Sequence, residues 1–338
     1  MLRFTANQAL AVNTARSYFN QTEVARAAAL PAEAVALGLV GNAGPIPIDS
    51  WRRLDGRSAQ IQRDVLAVYN RLAAANTTPL SVADLVSYFP QISDSGSVSV
   101  SLDGRHTGAA DQATVKFVGT PVPAITSEAR FGWRQMAMIQ RGGGMIDTET
   151  ISNHQRKVAE KLEDMVLNGD SSVVIAGSPV YGLRNHPQRN TGTHGFDLNS
   201  TATGANWLAA FKALIDQLVG DNAFGKVTVF LNYADWVYAS VNEFVAGYPK
   251  TILQRLREIE QIADIVPASK VPADNILGIA GLDGGDWGSI LSAMPVTTVP
   301  KARQNAQDDY VFQVLAITAP QFRYDYDGRA PIAHLTAS

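Results

Sequence analysis

The stretch KLEDMVLNGDSSVVIAGSPVYGLRNHP, residues 161–187, decides how this chain is read. Its first residues close a long helical pattern, and Asn168-Gly169 stops it. An apolar run, Val173 to Ile175, and a glycine turn come next. The same stretch holds Gly169-Asp170-Ser171, a triplet able to present a serine nucleophile. A serine hydrolase needs a base, an orienting acid and an oxyanion hole. In the hydrolase elbow the serine sits after a strand and before a helix. Here the order is inverted, with a helix, then Ser171, then a strand. The stretch therefore reads as a helix stop and a structural corner.

Upstream, residues 140–170 read QRGGGMIDTETISNHQRKVAEKLEDMVLNGD. The triglycine Gly142, Gly143 and Gly144 predicts a bend, and Asp147 or Thr148 can cap the helix after it. Ile151, Val158, Leu162 and Met165 form one apolar stripe. Arg156, Lys157, Glu160, Lys161, Glu163 and Asp164 are placed on the opposite, polar face. About twenty residues of helix make a rod of roughly 30 Å. A phosphate loop would continue Gly-Lys-Ser/Thr, whereas Met-Ile-Asp comes after the glycines.

Before the bend, residues 97–133 predict a hairpin. Val98, Val100 and Leu102 alternate with serines, Val115 and Phe117 flank Lys116, and Gly104 and Gly108 lie between. Such an arm has open edges and rests on a neighbour. Residues 44–74 predict a proline-rich extended segment and then an amphipathic helix with Ile61, Val65, Val68 and Leu72 on one side. A shorter helix is expected from Val82 to Tyr88, stopped by Pro90. Residues 1–44 are alanine-rich and read as an arm lying on other protein.

After the corner the pattern changes to alternating helix and strand. NWLAAFKALIDQLVG buries Trp207, Leu208, Phe211, Leu214, Ile215 and Leu218. KVTVFLN is a buried strand, Asn232 caps YADWVYASV, and TILQRLREIEQI is a further helix with Ile252, Leu256 and Ile259 as its seam. ADIVPAS, NILGIAGL and AMPVTTV read as strands. The tail forms two or three strands with a turn at Asp327-Gly328. The fold class is α+β.

Composition narrows the function. Charged residues are 17% against about 25% in typical soluble chains, which suggests a surface largely covered by other subunits. The net charge of −3 leaves no global basic field for sequence-specific nucleic-acid binding. There is no cysteine, so thiolate metal sites and cysteine nucleophiles are excluded. No apolar run reaches the ~18 residues of a membrane span, and the first twenty residues lack a signal-peptide core, so no membrane partner is expected. His186 and His194 have no further ligand at metal spacing, and Asp283 and Asp286 do not match a calcium loop. His106, His154 and His334 form no pair in sequence. No catalytic, cofactor or metal site is expected, and the chain reads as no enzyme.

The order of elements resembles the major capsid proteins of tailed bacteriophages, the Hong Kong 97-type fold, and their encapsulin relatives. The residues that carry this are Glu163-Asp164, Gly169-Asp170, Ile175, Gly177, Gly182-Leu183 and Asn185. They match a spine helix ending in an acidic pair, a short G-D turn and a glycine-leucine-asparagine turn. IPIDSW through Arg71 is similar to the segment leading into the hairpin, and GRAPIAHL to the closing strand.

The resemblance implies an N-arm (1–60), a first part of the P-domain (61–96) and an E-loop hairpin (97–133). A further P-domain part (134–204) with a spine helix at 146–168, an inserted A-domain (205–300) and returning P-domain strands (301–338) complete the layout. It also implies a shell built from pentamers and hexamers of the chain, assembled in a host cytoplasm into a virion capsid. Packaged double-stranded DNA would be bound weakly and non-specifically. The arm before Pro45 exceeds what encapsulins carry, which favours the phage capsid over a compartment enclosing a cargo enzyme. It is too short for an internal scaffolding domain, which implies a separate scaffolding protein, beside a portal. The assembly and hinge candidates are Trp51, Lys116, Trp133, Gly142, Gly143, Gly144, Gly169, Asp170, Gly177 and Gly182. Lys116 lies where some relatives cross-link, without further sign of that chemistry here.

Overall fold

The computed structural model describes residues 66–96, 98, 100, 102, 112–140 and 148–337, without 176, 248, 286 and 306. The expected N-arm with Trp51, the triglycine, Ile61, Val65, Gly104, His106, Gly108, Asp147 and Asp286 lie outside the described residues. The described chain begins with α1 (Ala67–Ala75), β1 (Thr77–Pro79), β2 (Val86–Ile92), β3 (Val115–Pro121) and β4 (Ala124–Phe131). Then come α2 (Trp133–Gln140), α3 (Thr148–Asn168), β5 (Asp170–Ile175), β6 (Ser178–Val180) and β7 (Asn190–Thr193). Next are α4 (Gly204–Gly220), β8 (Val227–Leu231), α5 (Tyr233–Val241), α6 (Ile252–Arg257), β9 (Ile262–Pro267) and β10 (Ile276–Ala280). The chain closes with β11 (Gly288–Pro300), β12 (Tyr310–Phe322) and β13 (Ile332–Thr336). No helix among the described residues is long and apolar enough to cross a membrane.

The chain divides into two units, and α3, β11 and β12 contribute residues to both. The smaller takes Pro123–Leu162 and Ser292–Thr318 from the described residues. In it β12 pairs antiparallel with β4, from Tyr310 opposite Phe131 to Ile317 opposite Ala124. Phe131, Phe312, Tyr310, Met136 and Ile151 close its core, with Phe131 and Phe312 edge to face at 5.6 Å. The helix is held to its sheet by polar contacts as well. Gln155 Nε2 donates to Thr298 Oγ1 at 2.9 Å, and His154 Nδ1 lies 2.6 Å from Ser127 Oγ.

The larger unit takes Ala67–Val122, Glu163–Leu291 and Ala319–Ser338. Its main sheet has the order β7-β13-β10-β8-β9, with antiparallel pairs around β10 and parallel pairs at both edges. β8 and β10 are buried at every residue, as central strands covered on both faces must be. On α4 the expected Trp207, Phe211, Leu214 and Leu218 are fully buried, and Leu208 and Ile215 pack at the margin. Thr203 caps α4 and Asn232 caps α5 through their side-chain oxygens. Thr251 and Gln254 form a capping box on α6. That helix is shorter than the sequence pattern predicts, and Ile259 lies beyond its end.

Two expectations are corrected near the start. Residues 82–88 do not form a helix: Val86–Ile92 is the strand β2, paired with β3 from Val86 opposite Pro121 to Ile92 opposite Val115. Alternation of Val86, Tyr88, Pro90 and Ile92 with Ser87, Phe89 and Gln91 outweighs the apparent helical spacing. Pro90 is tolerated because this sheet has only two strands, so a missing donor costs no central ladder bond. The hairpin's first strand is thus β2, while Val98, Val100 and Leu102 lie outside any strand and are exposed.

Gly278 of β10 fixes how closely α4 approaches the sheet. A Cβ there would meet Leu214 Cδ2 at 2.8 Å and Cγ at 3.1 Å. Gly278→Ala is expected to destabilise the protein by about 1–3 kcal/mol through overpacking. In a Leu214→Ala background the added penalty shrinks, because the methyl then enters the vacated space. Urea denaturation of the double-mutant cycle checks this; additive costs would mean that the two residues do not compete for one volume.

Candidate functional site

The end of α3 gathers four of the ten residues singled out from the sequence, Gly169, Asp170, Gly177 and Gly182. Gly169 comes directly after the last helical residue with φ +69° and donates its N–H to Met165 O at 2.9 Å. A Cβ on Gly169 would lie 2.3 Å from Val180 O and 2.7 Å from Gly182 N. One on Gly182 would lie 2.4 Å from Gly169 N and 2.6 Å from Leu167 O. The two glycines therefore allow the return loop to pass directly over the helix end. That loop satisfies the carbonyls that a helix leaves open: Leu183 N donates to Val166 O at 2.9 Å and Arg184 N to Leu167 O at 2.8 Å. Gly182 N donates to Asn185 Oδ1 at 2.6 Å, which fixes the loop itself.

Side chains complete the corner. Asp164 accepts from Asn168 Nδ2 at 2.6 Å, and Asn168 Oδ1 accepts from Arg184 Nη1 at 2.7 Å. Asp170 opens β5, which pairs antiparallel with β6 around Gly177, at φ +81°. The Asp170 carboxylate accepts from Ser172 N and Oγ at 3.0 and 2.5 Å. Ser171 is exposed and makes no side-chain hydrogen bond among the described residues. The nearest histidine in sequence, His186, is buried against Tyr181, Phe322 and Tyr324. Burial first, and then the charge of Arg189, push it down to about 4. No nucleophile and base are brought together at this corner.

The remaining candidates are dispersed. His194 is buried, stacks on Phe196 and places Nε2 3.0 Å from Asp274 O. Asp283 pairs with Arg71 at 3.0 Å. No group of three metal-ligating side chains occurs among the described residues. Lys116 is exposed on β3, and Trp133 begins α2 with the Arg134 guanidinium 5.3 Å from its ring.

Glu163 departs from the sequence reading. It belongs to the polar face by helical spacing, yet it is 1% exposed. Its Oε1 accepts from Val68 N and its Oε2 from Tyr69 N, each at 2.9 Å. α1 is preceded by Leu66, which has no side-chain oxygen to cap a helix, so a carboxylate ninety-four residues away from Tyr69 supplies the cap. Burial raises the Glu163 carboxyl from 4.5 to about 7, against the opposing pull of the Tyr69 and Val68 amides and the Lys270 charge. The one signal in the sequence was Leu66 itself, an apolar residue where a cap belongs.

The architecture is that of phage capsid proteins. It is similar to the capsid of Myoviridae phage XM1, with a TM-score of 0.62 at 12% identity over 80% of this chain and 91% of that one. It is also similar to a virus-like particle from Pyrococcus furiosus (TM-score 0.55, 13% identity, 84% and 98% covered). The capsid of a native GTA particle gives 0.54 at 13% identity, with 79% and 90% covered. At these identities the likeness is one of fold. The chain belongs to the family of unknown function DUF6260, whose model matches residues 41–335. Comparison with curated proteins found no match.

This corner generates two expected outcomes. Gly182→Ala forces apart the helix end and its loop and is expected to cost more than about 3 kcal/mol, read by urea denaturation. Glu163 binds more protons in the folded state than in the unfolded one between pH 4.5 and about 7. Its contribution is therefore fully present below pH 4.5 and is lost as pH rises through 7. Relative to Glu163→Gln, which does not titrate, the parent should lose on the order of 3 kcal/mol across that window. Parallel pH profiles would contradict the assignment.

Proposed function

We propose that this chain is the major capsid protein of a tailed double-stranded DNA bacteriophage and assembles with itself into an icosahedral head shell. The observation that carries this reading is the outer face of the β2–β3 hairpin. Register places Tyr88 opposite Gly119, Pro90 opposite Phe117 and Ile92 opposite Val115. On that face Tyr88 is 58% exposed, Ile92 61% and Phe117 66%. The opposite face is anchored within the same unit. Phe89 meets Tyr324 edge to face at 5.9 Å, Gln91 Nε2 donates to Tyr324 O at 3.0 Å, and Gln321 Nε2 donates to Ser87 O at 3.2 Å. A hairpin pinned on one side and apolar on the other is built to be covered. Each large side chain fully buried there contributes ~1.5–3 kcal/mol to association.

In this reading residues 97–133 belong to the E-loop, 146–168 to the spine helix of the P-domain, 205–300 to the A-domain, and 301–338 to returning P-domain strands. Residues 1–60 are the N-arm, and 61–96 and 134–204 complete the P-domain. The corner at Gly169, Asp170, Gly177 and Gly182 sets the angle between the spine helix and the β5–β6 hairpin. The shell is non-enzymatic, and its particles form in the host cytoplasm with a separate scaffolding protein and a portal. The low net charge of −3 suits weak, non-specific contact with packaged DNA. The likeness to a virus-like particle supports a second reading, a compartment shell enclosing a cargo enzyme. The contents of purified particles, DNA or protein, separate the two.

Phe117→Lys combined with Ile92→Lys is expected to leave the circular dichroism and solubility of the subunit unchanged. Particle yield, counted by electron microscopy and sedimentation, should fall about tenfold or more, since each buried charge costs over ~1.4 kcal/mol per contact. Undiminished particles from the double variant, or a parent that stays monomeric under assembly conditions, would sink the proposal.

A further inference from the structure

We propose that Arg184 and Arg189 form a binding site for a small oxyanion of the phosphate class. This inference does not depend on the shell reading. Both residues lie on the loop that leaves the helix corner, within the larger unit. β7 starts directly after Arg189 and runs parallel to β13, with Asn190 beside Ala333 and Thr191 beside His334. The register places Arg189, two residues before Thr191, next to the strand β13 that carries His334.

Neither guanidinium has a counter-ion among the described residues. Arg184 donates Nη1 to the neutral Asn168 Oδ1 at 2.7 Å, and Arg189 donates Nη1 to the backbone oxygen of His186 at 3.0 Å. The Nε of each is buried and finds no hydrogen-bond acceptor among those residues. Asp164 accepts from Asn168 Nδ2, and Asp221 accepts from Asn190 Nδ2 at 2.7 Å and from Ala330 N; neither forms an ion pair with either arginine among the described residues. Both arginines lie on one tight loop, in which His186 N donates to Gly182 O at 3.0 Å and Arg189 N to His186 O at 3.2 Å; burial, and then the charge of Arg184, lower the ionisation of Arg189. Both arginines, after burial, also hold His334 down, to about 4. His334 itself is engaged with Asn275 Oδ1 at 2.7 Å.

Two partly buried guanidinium groups that repel each other, with N–H groups that no described side chain accepts and no ion pair to an acid, present donors to a negative group. Guanidinium donors lie in a plane and match the paired oxygens of an oxyanion, which a lysine pair would not select. The net charge of −3 gives no broad basic field for a duplex, which favours a small tetrahedral anion at two isolated guanidinium groups. His186 does not compete for the role, since its ring is enclosed by aromatic side chains.

The test is equilibrium dialysis of the full chain against radiolabelled inorganic phosphate, together with thermal melting at matched ionic strength. The parent should bind about one phosphate per chain and melt higher in phosphate than in chloride. Arg189→Gln and Arg184→Gln should each weaken binding about tenfold or more and lose the phosphate-specific stabilisation. Arg189→Lys keeps the charge without the fork, so it should fold and bind more weakly than the parent. The proposal is overturned if the parent binds no phosphate at millimolar concentration, or if both Gln variants bind as the parent does. Displacement of phosphate by a short DNA duplex in equal amount would also overturn it, assigning the arginines to a nucleic-acid backbone instead.

Discussion

The contact between Gly169 and Gly182 is the constraint on which the corner depends. A helix end must dispose of its last carbonyls, and here the chain returns over them within fifteen residues. That return is possible only because neither glycine carries a Cβ, and because Gly169 adopts a left-handed backbone that other residues resist. The loop delivers Leu183 and Arg184 amides to Val166 and Leu167. From there the chain passes through His186 and Arg189 into β7, the edge of the main sheet. A displaced loop would move the arginine pair and the edge strand with it.

Glu163 does for α1 what the loop does for α3. In both cases the open ends of a helix are satisfied by residues far away or returning, not by the local cap. Such arrangements tie helix formation to tertiary assembly, since neither partner gains its hydrogen bonds alone. For Glu163 the gain is offset by burial of a carboxylate, and burial wins: the group is raised to about 7. The same unit thus combines a buried acid that resists ionisation with a pair of arginines that lack an acid.

Much of the layout was legible in the letters. The apolar stripe Ile151, Val158, Leu162 and Met165 is buried as its spacing requires. Asn168-Gly169 stops the helix, Asn232 caps α5, and Trp207 to Leu218 line the core, because these features depend on local spacing and on side-chain oxygens beside the backbone they serve. The inverted order around Ser171 was enough to set a nucleophile aside. The segment from Val82 to Pro90 was misleading. There a short apolar pattern fits either period, and only the partner strand β3 resolves it as alternation.

By itself the sequence determined an α+β chain with a long amphipathic helix and a glycine corner, because periodicity, glycine and capping residues act over a few positions. Only the tertiary structure decided that β2 begins at Val86, that Glu163 is buried beneath α1, and that Arg184 and Arg189 stand together without an acid. Each of those depends on which distant residue arrives opposite, and on how much water is left between them. Helical spacing assigns Glu163 a face; it takes the Val68 and Tyr69 amides of α1, which donate to its carboxylate, to turn that face inward.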